Sequence, residues 1–429
     1  MRWRIVTHIV GAGLLVALAA STSFADPGPG DASPVPVPQP SEKALRFHQT
    51  GHFVWAFGQI LTVAFPAVLL VSGASARLRD RAARLTRNRW LGTVAVYLIV
   101  FLVIVFLVEL PFRYRFGFVR LHEYGLSNQT FAKWLGDSFK GLFVDLVGAI
   151  AFAWIPFWLI GRFPRSWWLW MAAGGVPFIA FVALISPVLI DPLFNEFGPM
   201  QDKALEARIL GLAQRAGIAG GRVYEVNKSV DTRTLNAYVT GLLGTHRIVL
   251  WDTLLEKFDE PQILAVMGHE MGHYVLRHVE RGVVLSSVLL VVGLFWTDRA
   301  GRWALARWGE RWGVRTLSDI AAAPLLLILI ACSSVVLGPV GLAFSRYQEH
   351  EADRFALELT HLNHAAARAF SDFQRENLGI PRPDPFCALF RSSHPCAADR
   401  IEFSNTYRPW ETGQPSRYAP YFTPEATAH

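Results

Sequence analysis

The chain is poor in charged residues and in cysteine. Only 17% of its 429 residues are charged, whereas soluble domains carry roughly 25%. This scarcity excludes an ordinary cytosolic protein. A hydrophobic content of 52% excludes an intrinsically disordered chain, because so apolar a sequence buries surface readily. Three cysteines are too few for a disulfide framework or a cysteine-based zinc knuckle.

Six apolar runs are candidate transmembrane helices, since about 20 apolar residues cross the hydrocarbon core of a bilayer. They cover residues 53–72, 91–110, 141–161, 167–190, 282–297 and 320–344. Residues 1–25 are a seventh candidate, which is either a first transmembrane helix or a cleaved signal peptide. Residues 26–50 form a proline-rich linker. The sequence therefore predicts a mainly α, polytopic membrane protein embedded in the lipid bilayer.

The net charge of +7 comes from arginines that cluster in three connections, at residues 73–90, 161–166 and 298–319. These connections alternate correctly along the chain to share one side of the membrane, which the positive-inside rule makes the cytoplasmic side. Such clustering indicates membrane orientation, so we expect no nucleic-acid partner. The polar segments 191–281 and 345–429 then face the extracytoplasmic side. The connection 111–140 is an exception, because it would also lie outside and yet carries five basic residues.

The strongest chemical signal is the pentapeptide His269-Glu-Met-Gly-His273, within a helix that we expect from about Asp259. Residues four apart lie on one face of a helix, so both imidazoles can bind a single metal ion. Glu270 lies about 100° round the helix from His269, where it can act as a general base rather than as a ligand. A helix with two hydrogen-bonded histidines is the alternative.

Catalytic zinc needs a third protein ligand and an open position for water. One class of zinc protease would place a histidine at position 279, which here is Val279. The segment 345–354 offers acids instead. Glu349 and Asp353 share a helix face, so we predict that Glu349 is the third ligand and that Asp353 orients a ligand imidazole. His350 and Glu351 are expected at the surface.

Several sequence blocks, in order, resemble the type I CaaX prenyl proteases, which are integral-membrane zinc metalloproteases, and their bacterial relatives. The resemblance runs from about residue 50 to 408. The matching blocks are residues 110–112, 122–130, 190–197, 236–238, 247–255, 269–273, 345–353 and 393–395. The resemblance implies a ring of about seven transmembrane helices that encloses a chamber, with a small α+β zinc-metalloprotease domain at one end.

The resemblance also assigns roles to individual residues. It implies one zinc ion held by His269, His273 and Glu349, with Glu270 as the catalytic base. His394 is suited to stabilising the oxyanion. Arg400 either pairs with a carboxylate in or near the site or is simply structural. An extended polypeptide substrate would pair with an edge strand that contains Asn236, Ala237 and Tyr238.

The sequence therefore predicts a zinc-dependent endopeptidase that hydrolyses membrane-associated or unfolded polypeptides in a bacterial inner or plasma membrane. CaaX-type C-terminal processing follows from the resemblance, but the outward-facing metal domain argues against prenylated cytosolic substrates. The alternative is a channel, transporter or sensor with a structural zinc site. The expected segments are transmembrane helices (51–190), the domain with the His269–Glu270 helix (191–281), two further transmembrane helices (282–344), completion of the metal domain (345–408) and an irregular tail (409–429).

Cys387 and Cys396 flank His394 in the sequence. In an oxidising compartment, a disulfide between these two cysteines would tether the His394 loop. We therefore treat a Cys387–Cys396 disulfide as a hypothesis.

Overall fold

The computed structural model of the chain describes residues 33–218, 222–240 and 247–423. The seventh candidate segment, residues 1–25, lies outside this part of the chain, as do linker residues 26–32. Within it, six helical stretches are long and apolar enough to cross a membrane. They are Glu42–Val71, Trp90–Glu123, Phe131–Arg162, Trp167–Leu193, His278–Trp312 and Ile320–Thr360. The prediction of a mainly α membrane protein is confirmed, while the enclosed chamber and the seventh helix stay predictions.

Four of these stretches lie in the N-terminal half, where the described residues form seven α-helices, of which the second lies in the connection between the first two stretches. The helices are α1 (Glu42–Val71), α2 (Ala74–Leu85), α3 (Trp90–Phe112), α4 (Arg120–Glu123), α5 (Phe131–Phe152), α6 (Trp154–Arg162) and α7 (Trp167–Ile185). Large apolar side chains such as Phe53 and Val68 are about 60% exposed on α1. Apolar surface of this extent suits contact with lipid, because every backbone polar group in the helix is already hydrogen-bonded.

The three arginine-rich connections contact one another at one end of the helices. Arg79 forms an ion pair with Asp319 and donates to the carbonyl of Gly313. Arg302 donates to the carbonyl of Pro164. The connections 73–90, 161–166 and 298–319 therefore lie together, as the positive-inside pattern requires.

Two lysines of the exceptional basic connection 111–140 pair with acids. Lys133 lies 2.7 Å from both Asp137 and Asp231, and Lys140 also pairs with Asp137. Because the positive-inside rule counts lysines and arginines and gives acids little weight, this connection stays an exception to the orientation pattern.

The polar segments form a small α+β unit. It contains β1 (Phe197–Pro199), α8 (Lys203–Arg215), β2 (Arg222–Val226), β3 (Ala237–Thr240), β4 (Arg247–Trp251), α9 (Asp252–Lys257) and α10 (Glu260–Val275). The helices between Asn363 and Thr406, which follow the membrane helices, complete it. The strand order is β1-β2-β4-β3, with β2 parallel to β4 and the other two pairs antiparallel. In the sequence, the short runs 222–226 and 247–251, rich in β-branched and aromatic residues, predict β2 and β4. Among the described residues, β3 pairs only with β4, so it lies at the edge of the sheet.

The remaining helices connect the membrane to this unit. They are α11 (His278–Trp312), α12 (Ala323–Thr360), α13 (Asn363–Glu376), α14 (Pro385–Phe390) and α15 (Ala397–Thr406). At 1.5 Å per residue, the part of α12 between Ala323 and Glu349 is about 40 Å long, enough to cross a hydrocarbon core of about 30 Å. Glu349 therefore lies at the opposite end of the membrane helices from the arginine-rich connections.

Two glycines let α10 approach α12 closely. A Cβ atom at Gly268 would lie 2.9 Å from Thr360 Cγ2, and one at Gly272 would lie 3.2 Å from the Cα of Ala352. Any larger residue would push the helices apart. This close packing brings the carboxylates of α12 to the histidines of α10.

Candidate metal centre

Helix α10 begins with a capping box formed by Asp259 and Gln262, which satisfies backbone donors at its first turn. Its last two turns carry His269 and His273, whose Nε2 atoms lie 3.1 Å apart. The carboxylate of Glu349 faces both rings, with Oε2 lying 3.3 Å from His269 Nε2 and Oε1 lying 3.3 Å from His273 Nε2. Helix α12 therefore supplies the predicted third group.

The spacing of these three donor groups fits zinc. Tetrahedral zinc with bonds of 2.0–2.2 Å holds neighbouring ligand atoms about 3.3 Å apart, close to the observed 3.1–3.3 Å. In addition, Glu349 Oε2 is buried and has no hydrogen-bond partner among the described residues. A buried carboxylate oxygen left in this state is costly unless a cation satisfies it. The residues present thus fit a zinc ion.

The ring of His269 is supported from behind by Asp353. Its Nδ1 atom lies 2.8 Å from Asp353 Oδ1, and both residues are buried. Arg400 in turn donates to both oxygens of Asp353 at 2.6 and 2.8 Å. Burial alone would lower the pKa of His269, but its hydrogen bond to Asp353 and the negative charges of Asp353 and Glu349 raise it to about 10.

Glu270 is buried beside these groups and is not one of the three that face a common point. Burial is the main reason that its pKa is raised, and the charge of Glu349 adds to that effect. A carboxylate with a raised pKa can both take up and release a proton near neutral pH. Glu270 and Ala237 of β3 line the same pocket.

His394 and Arg400 come from the C-terminal part of the chain. His394 Nε2 lies 3.3 Å from Glu349 Oε1, and its Nδ1 lies 2.8 Å from the hydroxyl of Ser393. His394 does not belong to the group of three whose donor atoms all lie within 4.8 Å of one another. Arg400 is buried, and its carboxylate partner is Asp353.

The predicted substrate-binding residues lie at the edge of the sheet. Ala237 and Tyr238 begin β3, and Asn236 directly precedes it. Asn236 is buried, and its Oδ1 atom has no hydrogen-bond partner in the described part of the chain. The structure therefore brings the predicted strand next to Glu270, while the role of these residues stays a prediction.

One expectation about this region is wrong, and one hypothesis is not supported. Glu351, expected at the surface, is only 4% exposed, because Arg281 and the C-terminal residue Arg417 fold over it. Local helix periodicity carries no information about such distant partners. The Cys387–Cys396 disulfide is absent, since both residues are free cysteines and Cys387 Sγ contacts Ser392 Oγ instead.

Sequence reasoning missed two contributors to the site. His278 lies 2.9 Å from His273, measured between their Nδ1 atoms, although a continuous helix would place it about 140° away. The helix instead breaks at Arg277, which has a positive φ of 57°, and nothing in the sequence signals that break. Gly268 and Gly272 were also missed. Their Gly-x3-Gly spacing was a usable sign of close helix packing.

A second group of the same residue types lies elsewhere. His48 and His52 of α1 both contact Asp384 Oδ2 through their Nε2 atoms, at 2.8 and 2.9 Å. Arg391 Nη1 lies 3.0 Å from His52 Nδ1. Donor atoms of these three residues are also close enough together to hold a metal ion.

Known proteins share both halves of this architecture. Residues 199–407 match the family described as Peptidase family M48, and residues 43–196 match the family described as "CAAX prenyl protease N-terminal, five membrane helices". The chain is 37% identical over 365 residues to a protein of Bacillus subtilis named "Uncharacterized metalloprotease YhfN", with 85% of each chain covered.

More distant similarity extends to eukaryotes and to a solved structure. The chain is 29% identical to CAAX prenyl protease 1 of Saccharomyces cerevisiae, over 69% of this chain and 68% of that one. The crystal structure of S. mikatae Ste24p matches with a TM-score of 0.74 at 24% identity, and the match covers 84% of this chain and 87% of that chain. At that identity, the structural match is evidence of a shared fold.

Proposed function

Because the chain belongs to peptidase family M48, in the group that includes the CAAX prenyl proteases, we propose that it is a zinc-dependent endopeptidase of the membrane. The observation that carries this proposal is the triangle of donors from His269, His273 and Glu349, spaced 3.1–3.3 Å apart beside a buried glutamate. One zinc ion held by these three residues would supply Lewis-acid activation of water and of the scissile carbonyl.

Glu270 moves the proton in the proposed reaction. Its carboxylate accepts a proton from the attacking water, and the same carboxyl group then donates that proton to the nitrogen of the leaving amine as the C–N bond breaks. The raised pKa of Glu270 supports both steps, since the group has to be basic first and acidic afterwards.

Two residues of the C-terminal segment assist in different ways. His394 presents its Nε2 atom near Glu349, where it can donate a hydrogen bond to the negative oxygen of the tetrahedral intermediate. Arg400 acts through Asp353, and the pair fixes the ring of His269. We therefore assign Arg400 as a positioning residue.

The proposed substrate is an extended polypeptide that pairs with the free edge of β3 at Asn236, Ala237 and Tyr238. The position of β3 at the sheet edge, and the pocket that Ala237 shares with Glu270, support this pairing. The substrate class is membrane-associated or unfolded polypeptides. CaaX-type C-terminal processing rests on the names of the eukaryotic relatives alone.

We place the metal domain on the extracytoplasmic side of a bacterial inner or plasma membrane. The arginine-rich connections lie together, and α12 is long enough to separate them from Glu349 by a bilayer. By the positive-inside rule, those connections are cytoplasmic. A cytosolic prenylated substrate would then meet the wrong face of the membrane.

The test uses purified full-length protein and an internally quenched unfolded peptide. Glu270→Gln should leave the zinc content unchanged and lower kcat by about 10²–10⁴-fold, the usual contribution of a general base. Glu260→Gln, an acid in the first turn of the same helix, is the matched control and should cleave normally. Substantial cleavage by Glu270→Gln would refute the assigned base. Stoichiometric zinc without cleavage by the wild type would favour a structural zinc site instead.

A further inference from the structure

The zinc ligand His273 has an unusual neighbour behind its ring. Its Nε2 atom faces His269 and Glu349, so Nδ1 is the nitrogen left to be oriented by the protein. In most metal sites, this second nitrogen donates to a carboxylate, a backbone carbonyl or water. For His269, the acceptor is the carboxylate of Asp353. For His273, the contact is with another imidazole, that of His278, at 2.9 Å.

The protonation of this imidazole pair follows from the metal site. A neutral imidazole that binds a metal through Nε2 carries its hydrogen on Nδ1. His273 Nδ1 is therefore a donor, and a hydrogen bond forms only if His278 Nδ1 is the acceptor. His278 must then be neutral and carry its own hydrogen on Nε2. That hydrogen is directed to the side of His278 away from His273.

A buried acid lies on that side. His278 Nε2 is 3.7 Å from Glu351 Oε2 and has no hydrogen-bond partner among the described residues. Glu351 is 4% exposed and is held by Arg281 at 2.9 Å and by Arg417 at 3.2 Å. Two guanidinium groups therefore pair with this buried carboxylate. The acid that seemed to be a surface residue thus faces the back of the zinc ligand pair.

The backbone is bent to make this arrangement. Arg277 adopts left-handed angles, φ 57° and ψ 42°, which a non-glycine residue rarely does without a reason. The bend separates α10 from α11 and turns His278 back toward His273. Gln348 of α12 then donates to the backbone carbonyl of His278 at 2.8 Å. A polar imidazole that is 4% exposed is costly if it serves only for packing.

We propose that His278 and Glu351 support the zinc ligand His273. In this arrangement, His278 accepts a hydrogen bond from His273 Nδ1, and the Nε2–H of His278 faces the carboxylate of Glu351 at 3.7 Å, as an electrostatic rather than a hydrogen-bonded contact. The inference rests on the proposed zinc centre. It makes His278 and Glu351 positioning residues, which set the orientation and basicity of His273 without touching substrate. The two histidine ligands would then have different supports, a direct carboxylate for His269 and an imidazole followed by a carboxylate for His273.

The test measures zinc affinity by competition with a chelator, together with kcat and KM. His278→Met keeps the bulk of the side chain but removes the acceptor, and should weaken zinc binding about 10–100-fold, the usual effect of losing such a partner. His278→Gln retains an acceptor oxygen and should recover most of the affinity. The fall should appear in kcat rather than in KM. The matched control is His350→Leu, which should bind zinc normally. His350 directly precedes Glu351 on the same helix, but its ring contacts Arg354 and Phe403.

Equal zinc affinities of the wild type, His278→Met and His278→Gln would overturn the inference. If His278→Met fails to fold, Glu351→Gln decides the question. A loss of zinc affinity that is at least severalfold would agree with the positioning of His273 by His278 and Glu351, and unchanged affinity would contradict it. A wild-type protein that binds no zinc would refute the proposed function itself, which keeps the two failures distinct.

Discussion

The described part of the chain contains two histidine pairs of the same pattern, and they differ in how their donor atoms are arranged and in what lies behind their rings. In each, two histidines four residues apart on a helix face a carboxylate from a distant part of the chain. His269 and His273 face Glu349. His48 and His52 face Asp384. Residue types and spacing alone do not distinguish the two groups.

The first difference between the two groups is how the donor atoms are arranged. Around His269, three groups lie 3.1–3.3 Å apart and leave Glu349 Oε2 without a hydrogen bond. At the other group, both Nε2 atoms lie 2.8–2.9 Å from a single oxygen of Asp384. Those are hydrogen-bond distances, so the second group is satisfied without a cation.

The second difference lies behind the rings. His269 Nδ1 lies 2.8 Å from the acceptor Asp353 and 3.3 Å from the guanidinium of Arg400, so an acceptor is its nearer neighbour, as a metal-bound imidazole requires. His52 Nδ1 faces the guanidinium of Arg391, which can only donate. A metal at His52 Nε2 would leave two donors facing each other. The groups behind the imidazoles therefore identify the metal centre better than the set of three ligands does.

We call His48, His52, Asp384 and Arg391 the latch, since they join α1 to the segment that leads to His394.

The largest expected effect comes from removing one carboxylate of each group. Glu349→Gln replaces an anionic ligand and should weaken zinc binding by at least about 100-fold, taking roughly 3 kcal/mol as one ligand's share of the binding free energy. Asp384→Asn should leave zinc binding unchanged. Elemental analysis after dialysis checks both variants. A drop in zinc content of Asp384→Asn would show that the latch also binds metal.

Acid should act on the two groups at different pH values. In the protein stripped of metal, the raised pKa of His269, about 10, means that its ion pair with Asp353 stabilises the fold fully below about pH 6.5 and is lost as the pH rises through 10. Protons therefore compete with zinc, and the apparent zinc affinity should fall about tenfold per unit as the pH drops from 9 to 7. Chelator competition at several pH values measures this slope. An apparent zinc affinity that does not change with pH would contradict the competition between protons and zinc at His269.

The latch should give the smallest effect. Hydrogen bonds from His48, from the backbone of Cys387 and from His52 lower the pKa of Asp384. Its stabilisation is therefore present above about pH 4 and is lost as the pH falls through the lowered pKa. Because the Asp384 side chain is 41% exposed, Asp384→Asn should cost only about 1 kcal/mol at pH 7. Thermal unfolding of the wild type and the variant at pH 7 measures this difference, which should shrink at about pH 2. Asp399→Asn removes an exposed ion pair and serves as the control, with almost no expected change.

The sequence predicted what depends on short-range pattern. Strands β2 and β4, the start of α10 at Asp259 and the apolar runs follow from local periodicity and caps. The pairing of His269 and His273 follows from helix geometry. The prediction that Glu349 and Asp353 share a face needed only the same geometry, and the structure sets both beside His269.

The rest depends on contacts between distant segments. Glu351 is buried because Arg417 folds back across α12, some 66 residues later in the chain. His278 reaches His273 only because Arg277 adopts a left-handed conformation. The latch was not anticipated, because His48 and Asp384 are 336 residues apart. Periodicity describes one element at a time and carries no information about which elements meet.

The most direct measurement is anomalous X-ray scattering at the zinc edge from crystals of the full chain grown with equimolar zinc. A zinc ion held as proposed gives one strong peak within bonding distance of the Nε2 atoms of His269 and His273 and of the carboxylate of Glu349. No peak is expected between His48, His52 and Asp384. A peak at the latch of equal strength, or the absence of a peak beside Glu349, would contradict the proposed zinc site.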